Sequence, residues 1–462
     1  MRKIREYLFI IIILFFCGLL IFSWVNKYAI ARLEDTRMIR AHQALYSFRP
    51  YFPDFLQWIK DLKKNGIVEF SLGYFLPAPL MFCLGDIAGF KLAHILASLT
   101  TVFFIFLILR NHFKYSFKNT LLTIVLLLTS YGFVFLSTYT VLDQFAFMFF
   151  FIFIYLYFQE KIFWAGLAYV LAIISKDPRI ILASVPALAT FIYFFDKKKL
   201  KDKKNWFFFA ACILIFLLIQ STSQGALIDS FPFGLIRSGS ASSPKLSHFF
   251  SRFRLIHLYG VFFTAPVLTI TAILGLADLL KNKVLKIEKM LLLSFFSIFF
   301  IYLSAAVSGL HYIYFVFLFL ALFSARYLKK ASLLQSIVLC LLSGLVLFSS
   351  LQKPIYFKRP KISDLERIKI ELLPYSNEGF ILFHGLDWGR YFHGRRFGNV
   401  WDWEWSISTG KIGELPLYVE KNIKLVVIPQ ELFFVFDNWE RSKDYRLVKV
   451  FDDWLFFIPV QK

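Results

Sequence analysis

The sequence predicts a polytopic α-helical membrane protein of about eleven transmembrane helices with a small C-terminal α/β domain, and three observations carry that expectation. Of 462 residues, 58% are hydrophobic, 60 are Phe and only 18% are charged, a balance that a water-soluble globular chain does not sustain. Apolar runs of spanning length recur through the first 350 residues, with basic residues gathered in the short connections between them. From residue 351 the composition turns polar, with 17 basic and 15 acidic residues. In a soluble chain the net charge of +22 would suggest nucleic acid; its confinement to connections points to membrane orientation instead, and no nucleic-acid partner is expected. Cys17, Cys83, Cys212 and Cys340 all lie in apolar runs, which argues against a disulfide scaffold or a cysteine zinc site.

The basic residues 1–7 lead into an apolar run over 8–25, long enough for a ~30 Å hydrocarbon core. It reads as a signal anchor, because its apolar length exceeds that of a cleaved signal peptide and no small-x-small site follows. Further runs cover about 90–109, 119–137, 141–158, 162–175, 178–195, 206–223, 257–280, 290–308, 311–328 and 332–350. The apolar segment 70–86 contains Pro77 and Pro79, which break the helical ladder, so it is expected to lie at the interface within a first outer loop, 26–89. With the N-terminus in the cytoplasm, the inner connections 1–7, 110–118, 159–161, 196–205, 281–289 and 326–331 hold 20 Lys and Arg in 44 residues. The outer stretches 26–68 and 225–256 hold 12 in 75. That nearly threefold bias satisfies the positive-inside rule, and one span more or fewer before Asp196 would invert the lysine run that follows it.

The odd span count puts the tail, 351–462, outside the cytoplasm. Ser363 and Glu366 are spaced as a capping box opening a helix, and 379–384, 423–429, 445–450 and 454–460 read as strands, the last two as a hairpin over Asp452 and Asp453.

Several clusters on the expected outer face could carry chemistry. Glu34 and Asp35 lie a few residues beyond the first span, where a partly desolvated carboxylate can act as general base; an acidic pair favoured by a helix N-terminus reads equally well. Asp143 stands at the outer end of a span with no other charge in its turn, and an ionisable group at the hydrocarbon edge usually has a partner or a task. Lys176 and Arg179 lie in the outer turn Ser175-Lys176-Asp177-Pro178-Arg179, against the orientation bias, as binding of a lipid phosphate would require. Their alternative is headgroup contact by snorkelling. The loop 225–256 ends in Lys245, His248, Arg252 and Arg254 and is long enough to cover a site. His311 and Tyr312 open another span from the outside, where they suit a phosphate or sugar, or an interfacial belt. In the tail, His384, Asp387, Trp388, His393 and Trp401 collect aromatics beside hydrogen-bonding groups, a pattern for stacking on sugars or for packing onto the membrane part. Their spacing does not suit a metal site.

The order of these features resembles the GT-C superfamily of polyprenyl-phosphate-sugar glycosyltransferases, in particular the branch with protein O-mannosyltransferases and aminoarabinose lipid A transferases. The elements that carry it are the acidic pair in a long first loop, Pro77 and Pro79 with Gly85 ahead of the second span, Asp143, the Ser-Lys-x-Pro turn, the outer His-Tyr and the polar tail. The resemblance implies catalytic roles for Asp35, Glu34 and Asp143, donor-phosphate binding by Lys176 with Arg179, and a site role for His311 at the phosphate and Tyr312 at the sugar or acceptor; phosphate binding by Arg252 and Arg254, or their simple solvation, and sugar or acceptor contact by His384 and Trp388 are read from the residues alone. Two positions depart from the family: the acidic pair is Glu-Asp where the family has Asp-Glu, and Asp177 replaces a Gly.

The activity so implied is inverting transfer of a sugar from a polyprenyl-phosphate donor to an envelope glycolipid, polysaccharide or protein at the extracytoplasmic face of the cell membrane. No cofactor follows from it, and a divalent cation between the outer acidic groups stays an open alternative. The rival classes are a transporter or flippase of lipid-linked sugars and an inactive accessory subunit of the same fold. The charged candidates gather at one face and no paired interrupted helices repeat in two halves, which disfavours transport.

Overall fold

The computed structural model of the chain describes residues 2–27, 72–138, 143–175, 252–282, 285–304 and 313–352, and in the tail 367, 370, 371, 374, 380–383, 400–402, 423–430, 433–437, 441–451 and 454–460. These divide into two compact units, one holding the described residues 2–25 and 72–352 and one holding residues 26–27 and those from 367 onward.

In the first unit the described helices are α1 (Arg2–Val25), α2 (Leu72–Phe75), α3 (Ala78–Leu84), α4 (Asp86–Leu107), α5 (Phe117–Leu128), α6 (Tyr131–Ser137), α7 (Asp143–Phe158) and α8 (Ile162–Ser175). There follow α9 (Arg252–Thr264), α10 (Pro266–Lys281), α11 (Lys286–Ser304), α12 (Tyr314–Lys330) and α13 (Leu333–Gln352). Two of the eleven expected spans, 178–195 and 206–223, lie outside the described residues; helices occupy the other nine apolar runs. Among the described residues, by length and composition alone, three segments can cross a membrane, Lys3–Val25, Ala88–His112 and Leu333–Gln352, and five if two bent pairs each count as one span. The bends have local causes. Between α5 and α6, bent by 70°, the hydroxyls of Thr129 and Ser130 donate back to the carbonyls of Val125 and Leu126, which competes with the helical ladder. Between α9 and α10, bent by 107°, Pro266 at the first helical position cannot continue the preceding ladder. The two prolines of segment 70–86 leave only the short α2 and α3, too short to span.

Burial sorts the helices. α4 is largely enclosed, whereas α1 and α13 turn most of their apolar surface outward, with Leu20 and Leu334 each 72% exposed. Such a surface is a liability in water and the expected one against lipid tails. The phenylalanines fill the interior: Phe147 stacks on Phe315 at 5.9 Å, and Phe295 meets Phe299, Phe319 and Phe323 at 5.5 Å each. α10 lies along α12 closely enough that a Cβ on Gly275 would fall 1.9 Å from the Phe323 carbonyl oxygen. Gly275→Ala is therefore expected to destabilise the protein by about 1–3 kcal/mol, read as a lower unfolding midpoint in detergent.

One end of the unit is fastened by charge. Arg326 bonds Asp278 and Glu288, both at 2.7 Å, Lys330 also pairs with Asp278, and Lys329 lies 5.1 Å over the ring of Tyr115. Burial first, then the nearby Glu288 carboxylate, raise the Tyr115 hydroxyl above the ordinary tyrosine range. Arg110 forks onto Glu6 at 2.9 and 3.1 Å. The connections 1–7, 110–118, 281–289 and 326–331 thus meet at one end. Arg326→Met should cost about 3 kcal/mol, the low end for breaking a buried pair because Lys330 still neutralises Asp278 and only Glu288 loses its cation. Unfolding of purified variants measures it, and Arg326→Met within 0.5 kcal/mol (roughly the scatter of a surface substitution) would contradict it.

The second unit holds a five-stranded sheet in the order β2-β1-β3-β5-β4, with β1 (Phe380–Phe383), β2 (Val400–Asp402), β3 (Ile423–Pro429), β4 (Tyr445–Phe451) and β5 (Trp454–Pro459). β1 pairs parallel with β2 and β3, and β5 pairs antiparallel with β3 and β4. α14 (Phe433–Asp437) lays Phe436 against Phe457 at 4.2 Å, closing a core with Ile423, Val426, Ile428, Tyr445 and Leu455. The expected strands appear near their predicted limits; β2 is additional, a three-residue strand too short to show an alternation. The capping-box residues 363–366 lie outside the described residues.

Candidate functional site

At the end of the first unit away from the Arg326 cluster the chain buries a further set of polar groups. α4 carries them on one stripe: Lys91, His94, Ser98 and Thr101, each no more than 1% exposed. Spacings of three, four and three residues place all four on one helical face. Lys91 Nζ donates to the Val25 carbonyl at 3.2 Å, which ties the end of α1 to α4. His94 Nδ1 lies 2.8 Å from the Phe90 carbonyl oxygen, an acceptor only, so in the neutral ring Nδ1 carries the proton and Nε2 is the basic nitrogen. The ring is wedged between Phe90 and Phe145, at 4.5 and 4.8 Å.

α7 begins at Asp143, buried to 1% exposure and set in the first turn, where the helix dipole favours a carboxylate. Gln144 beside it donates to the Leu136 carbonyl at 2.5 Å and so joins α7 to the end of α6. α12 begins at the fully buried Tyr314, which stands beside Ser98 and Thr101 and within electrostatic reach of Asp143. Since Phe145 packs on Ala93 and Ala97, α7 and α12 both meet α4 about two to four turns in from its first residue. Asp143 and Tyr314 therefore stand inside the helical assembly. Gly89 completes the framework: a Cβ there would fall 2.3 Å from the backbone of Leu80 and Met81, so α3 can lie directly on the start of α4. Together the site offers a carboxylate, an ammonium, an imidazole and a phenol on three helices, and the N-terminal partial charges of α7 and α12 favour an anion beside the middle of α4.

Of the residues singled out in the sequence, Asp143 is in this group. Arg252 and Arg254 lie in the first turn of α9, where only their backbone is described. Ser175 of the Ser-Lys-Asp-Pro turn is the last residue of α8, its hydroxyl donating to the Leu171 carbonyl at 2.6 Å. Glu34, Asp35, Lys176, Arg179, His311, Tyr312, His384 and Trp388 lie outside the described residues. Among the described residues no group of three or more His, Cys, Asp or Glu is placed to hold a metal. The sequence reading passed over Lys91, His94, Ser98, Thr101, Gln144 and Tyr314. The signal for the first four was present, a polar stripe at helical period inside an apolar run. Tyr314 had none, being one aromatic in a segment crowded with them.

No known protein family matches the sequence, and no curated protein does. The fold does have a solved counterpart: it is similar to the crystal structure of ArnT from Cupriavidus metallidurans in the apo state, with a TM-score of 0.54 and 10% identity. The similarity covers 97% of this chain and 98% of that one.

Proposed function

We propose that this chain is an integral-membrane glycosyltransferase of the GT-C type that moves a sugar from a polyprenyl-phosphate donor to an envelope acceptor on the extracytoplasmic face. The observation that carries the proposal is the likeness to ArnT over nearly the whole of both chains. The order of short motifs in the sequence supports it independently, since the acidic first loop, Asp143, the Ser-Lys-x-Pro turn and the outer His-Tyr follow one another as in that superfamily. Eleven spans, a cytoplasmic N-terminus and an extracytoplasmic tail are the topology that goes with this reading.

In the proposed reaction the acceptor hydroxyl oxygen attacks the anomeric carbon, its proton passes to the carboxylate of Asp35 or Glu34, and the bond from the anomeric carbon to the phosphate oxygen breaks. The electron pair leaves on the polyprenyl phosphate, and the anomeric centre inverts. Lys176, Arg179, Arg252, Arg254 and His311 are the groups assigned to the departing phosphate, whose charge must be stabilised as it develops. Lys91 is added to that set as a buried cation. Tyr312, His384 and Trp388 are assigned to the sugar or acceptor. The catalytic role expected of Asp143 is taken to be indirect, through the Tyr314 phenol that stands beside Ser98 and Thr101.

Mass spectrometry of envelope glycolipids and glycans from cells carrying the intact protein, a deletion, or Asp35→Asn at matched expression tests the proposal. Loss of the same sugar mass in deletion and variant, with the unmodified acceptor accumulating, is the expected result. A deletion that changes no glycan, glycolipid or glycoprotein contradicts it.

A further inference from the structure

At the end of the first unit away from Asp143 lies a polar cavity of about 520 Å³, lined by Lys3, Tyr7, Arg110, Asn111, Lys114 and Gln159. Its size suits a small ligand or a lipid headgroup. Three cations line it, and one carboxylate, Glu6, sits on the Arg110 guanidinium, so the lining and its immediate partner carry a net formal charge of +2. Three of its polar groups, Arg110, Tyr7 and Asn111, are held by hydrogen bonds. Arg110 also donates from Nη1 to the Tyr115 carbonyl at 2.9 Å. The Tyr7 hydroxyl donates to Asn111 Oδ1 at 3.0 Å, and Asn111 Nδ2 donates to the Tyr155 hydroxyl at 3.3 Å.

The backbone around the cavity departs from regular helix in three places. Residues Ile108–His112 form a π-helical turn at the end of α4, with Phe113 N–H bonding the Ile108 carbonyl at 3.1 Å. That turn lets the consecutive residues Arg110 and Asn111 both reach α1, at Glu6 and Tyr7, which are themselves consecutive. π turns are rare and recur at functional sites. Lys114 on the rim has φ of 55°, and Glu160, next to Gln159, has φ of 61°. L side chains seldom take this conformation, and chains keep it where a local task holds it in place. Nothing in the fold requires a lysine at position 114, where Gly would adopt the same turn without strain.

From these observations we infer that the cavity is a binding site for the phosphate of an anionic phospholipid from the leaflet at that end of the helices. The lysines and arginine recognise the phosphate charge, and Tyr7, Asn111 and Gln159 supply neutral hydrogen bonds to glycerol-type hydroxyls. The lipid source is favoured by what adjoins the cavity. Ile4, Leu8, Ile11 and Phe15 run along α1 at helical spacing, between 49% and 69% exposed, and give acyl chains a surface directly beside the headgroup. The proposal does not depend on the transferase reading.

Its test is a thermal shift and native mass spectrometry of the full chain in neutral detergent. The additives are dioleoyl phosphatidylglycerol, dioleoyl phosphatidylcholine or inorganic phosphate, and the proteins are wild type and the variant Lys3→Gln with Lys114→Gly. The expected result is that wild type retains and is stabilised by phosphatidylglycerol, and by neither of the other two. The double variant should bind it roughly thirtyfold more weakly, given the usual contribution of two basic residues near anionic lipid. Because Lys114→Gly relieves backbone strain, the single variant Lys114→Gly, measured alongside, should unfold without lipid at a higher temperature than wild type while its lipid shift shrinks. A lysine with a merely structural role would move both readings down together, which would overturn the proposal. Stabilisation by inorganic phosphate alone, or a phosphatidylglycerol shift equal in wild type and double variant, would overturn it as well.

Discussion

Asp35→Asn is expected to lower sugar transfer by about 10²- to 10⁴-fold, the range that a general base contributes when it accepts a proton from an attacking hydroxyl. The amide keeps the volume and one acceptor oxygen of the side chain and loses only the basic oxygen, so the loss should fall on turnover and leave donor binding within a factor of a few. Glu34→Gln is the control. If Asp35 is the base, Glu34→Gln loses less than Asp35→Asn; if the reversed order of the pair also reverses their roles, the larger loss moves to Glu34. Quantified transfer by purified variants at saturating donor separates the two, and wild-type rates in both would remove the carboxylate pair from the mechanism.

Asp143→Asn should produce the second largest loss, roughly 10²-fold in transfer, with a different signature. Asp143 is buried at the start of α7, in a first turn that favours a carboxylate, and stands within electrostatic reach of Tyr314. Asparagine retains the volume and the helix-starting preference, so the unfolding midpoint should move little while activity falls. Asp143→Ala removes both and should lower stability and activity together. If the residue only starts the helix, Asp143→Asn will retain near wild-type transfer. Tyr314→Phe offers a cross-check: when the carboxylate works by aligning the phenol, the double variant with Asp143→Asn should be little worse than the more damaging single one, the non-additivity expected of residues acting as a unit.

The residues explain why part of this was legible in the sequence. Spans announce themselves because lipid demands long apolar runs whatever their packing, so α1, α4 and α13 stand out in the chain as they do in the structure. Pro77 and Pro79 mark the short α2 and α3 for the same reason of backbone chemistry, and the hairpin of β4 and β5 follows from two β-branched and aromatic runs around a pair of aspartates. Packing inside the membrane left a weaker trace. Lys91 and His94 are surrounded by apolar neighbours in sequence and read as isolated interruptions of a span, although their register with Ser98 and Thr101 already puts them on one face. Tyr314 could not be distinguished from the neighbouring aromatics, because its distinction is that α12 starts beside the middle of α4, a fact of tertiary structure. β2 is three residues long and held by pairing with β1, which no local pattern encodes. Asp143 was legible because a carboxylate at the edge of an apolar run is costly without a reason.

The central claim, that this fold performs sugar transfer from a lipid phosphate, is tested most directly with the purified full chain and a polyprenyl-phosphate sugar carrying a radiolabel in the sugar. Envelope lipid and glycan extract serves as acceptor, and both labelled product and released polyprenyl phosphate are measured. The account predicts label in one acceptor class, matched by an equal amount of polyprenyl phosphate, with Asp35→Asn and Glu34→Gln together abolishing both. Intact donor across a panel of polyprenyl-phosphate sugars, or label carried across a vesicle membrane without release of the phosphate, would contradict it and make the chain a carrier of lipid-linked sugars instead.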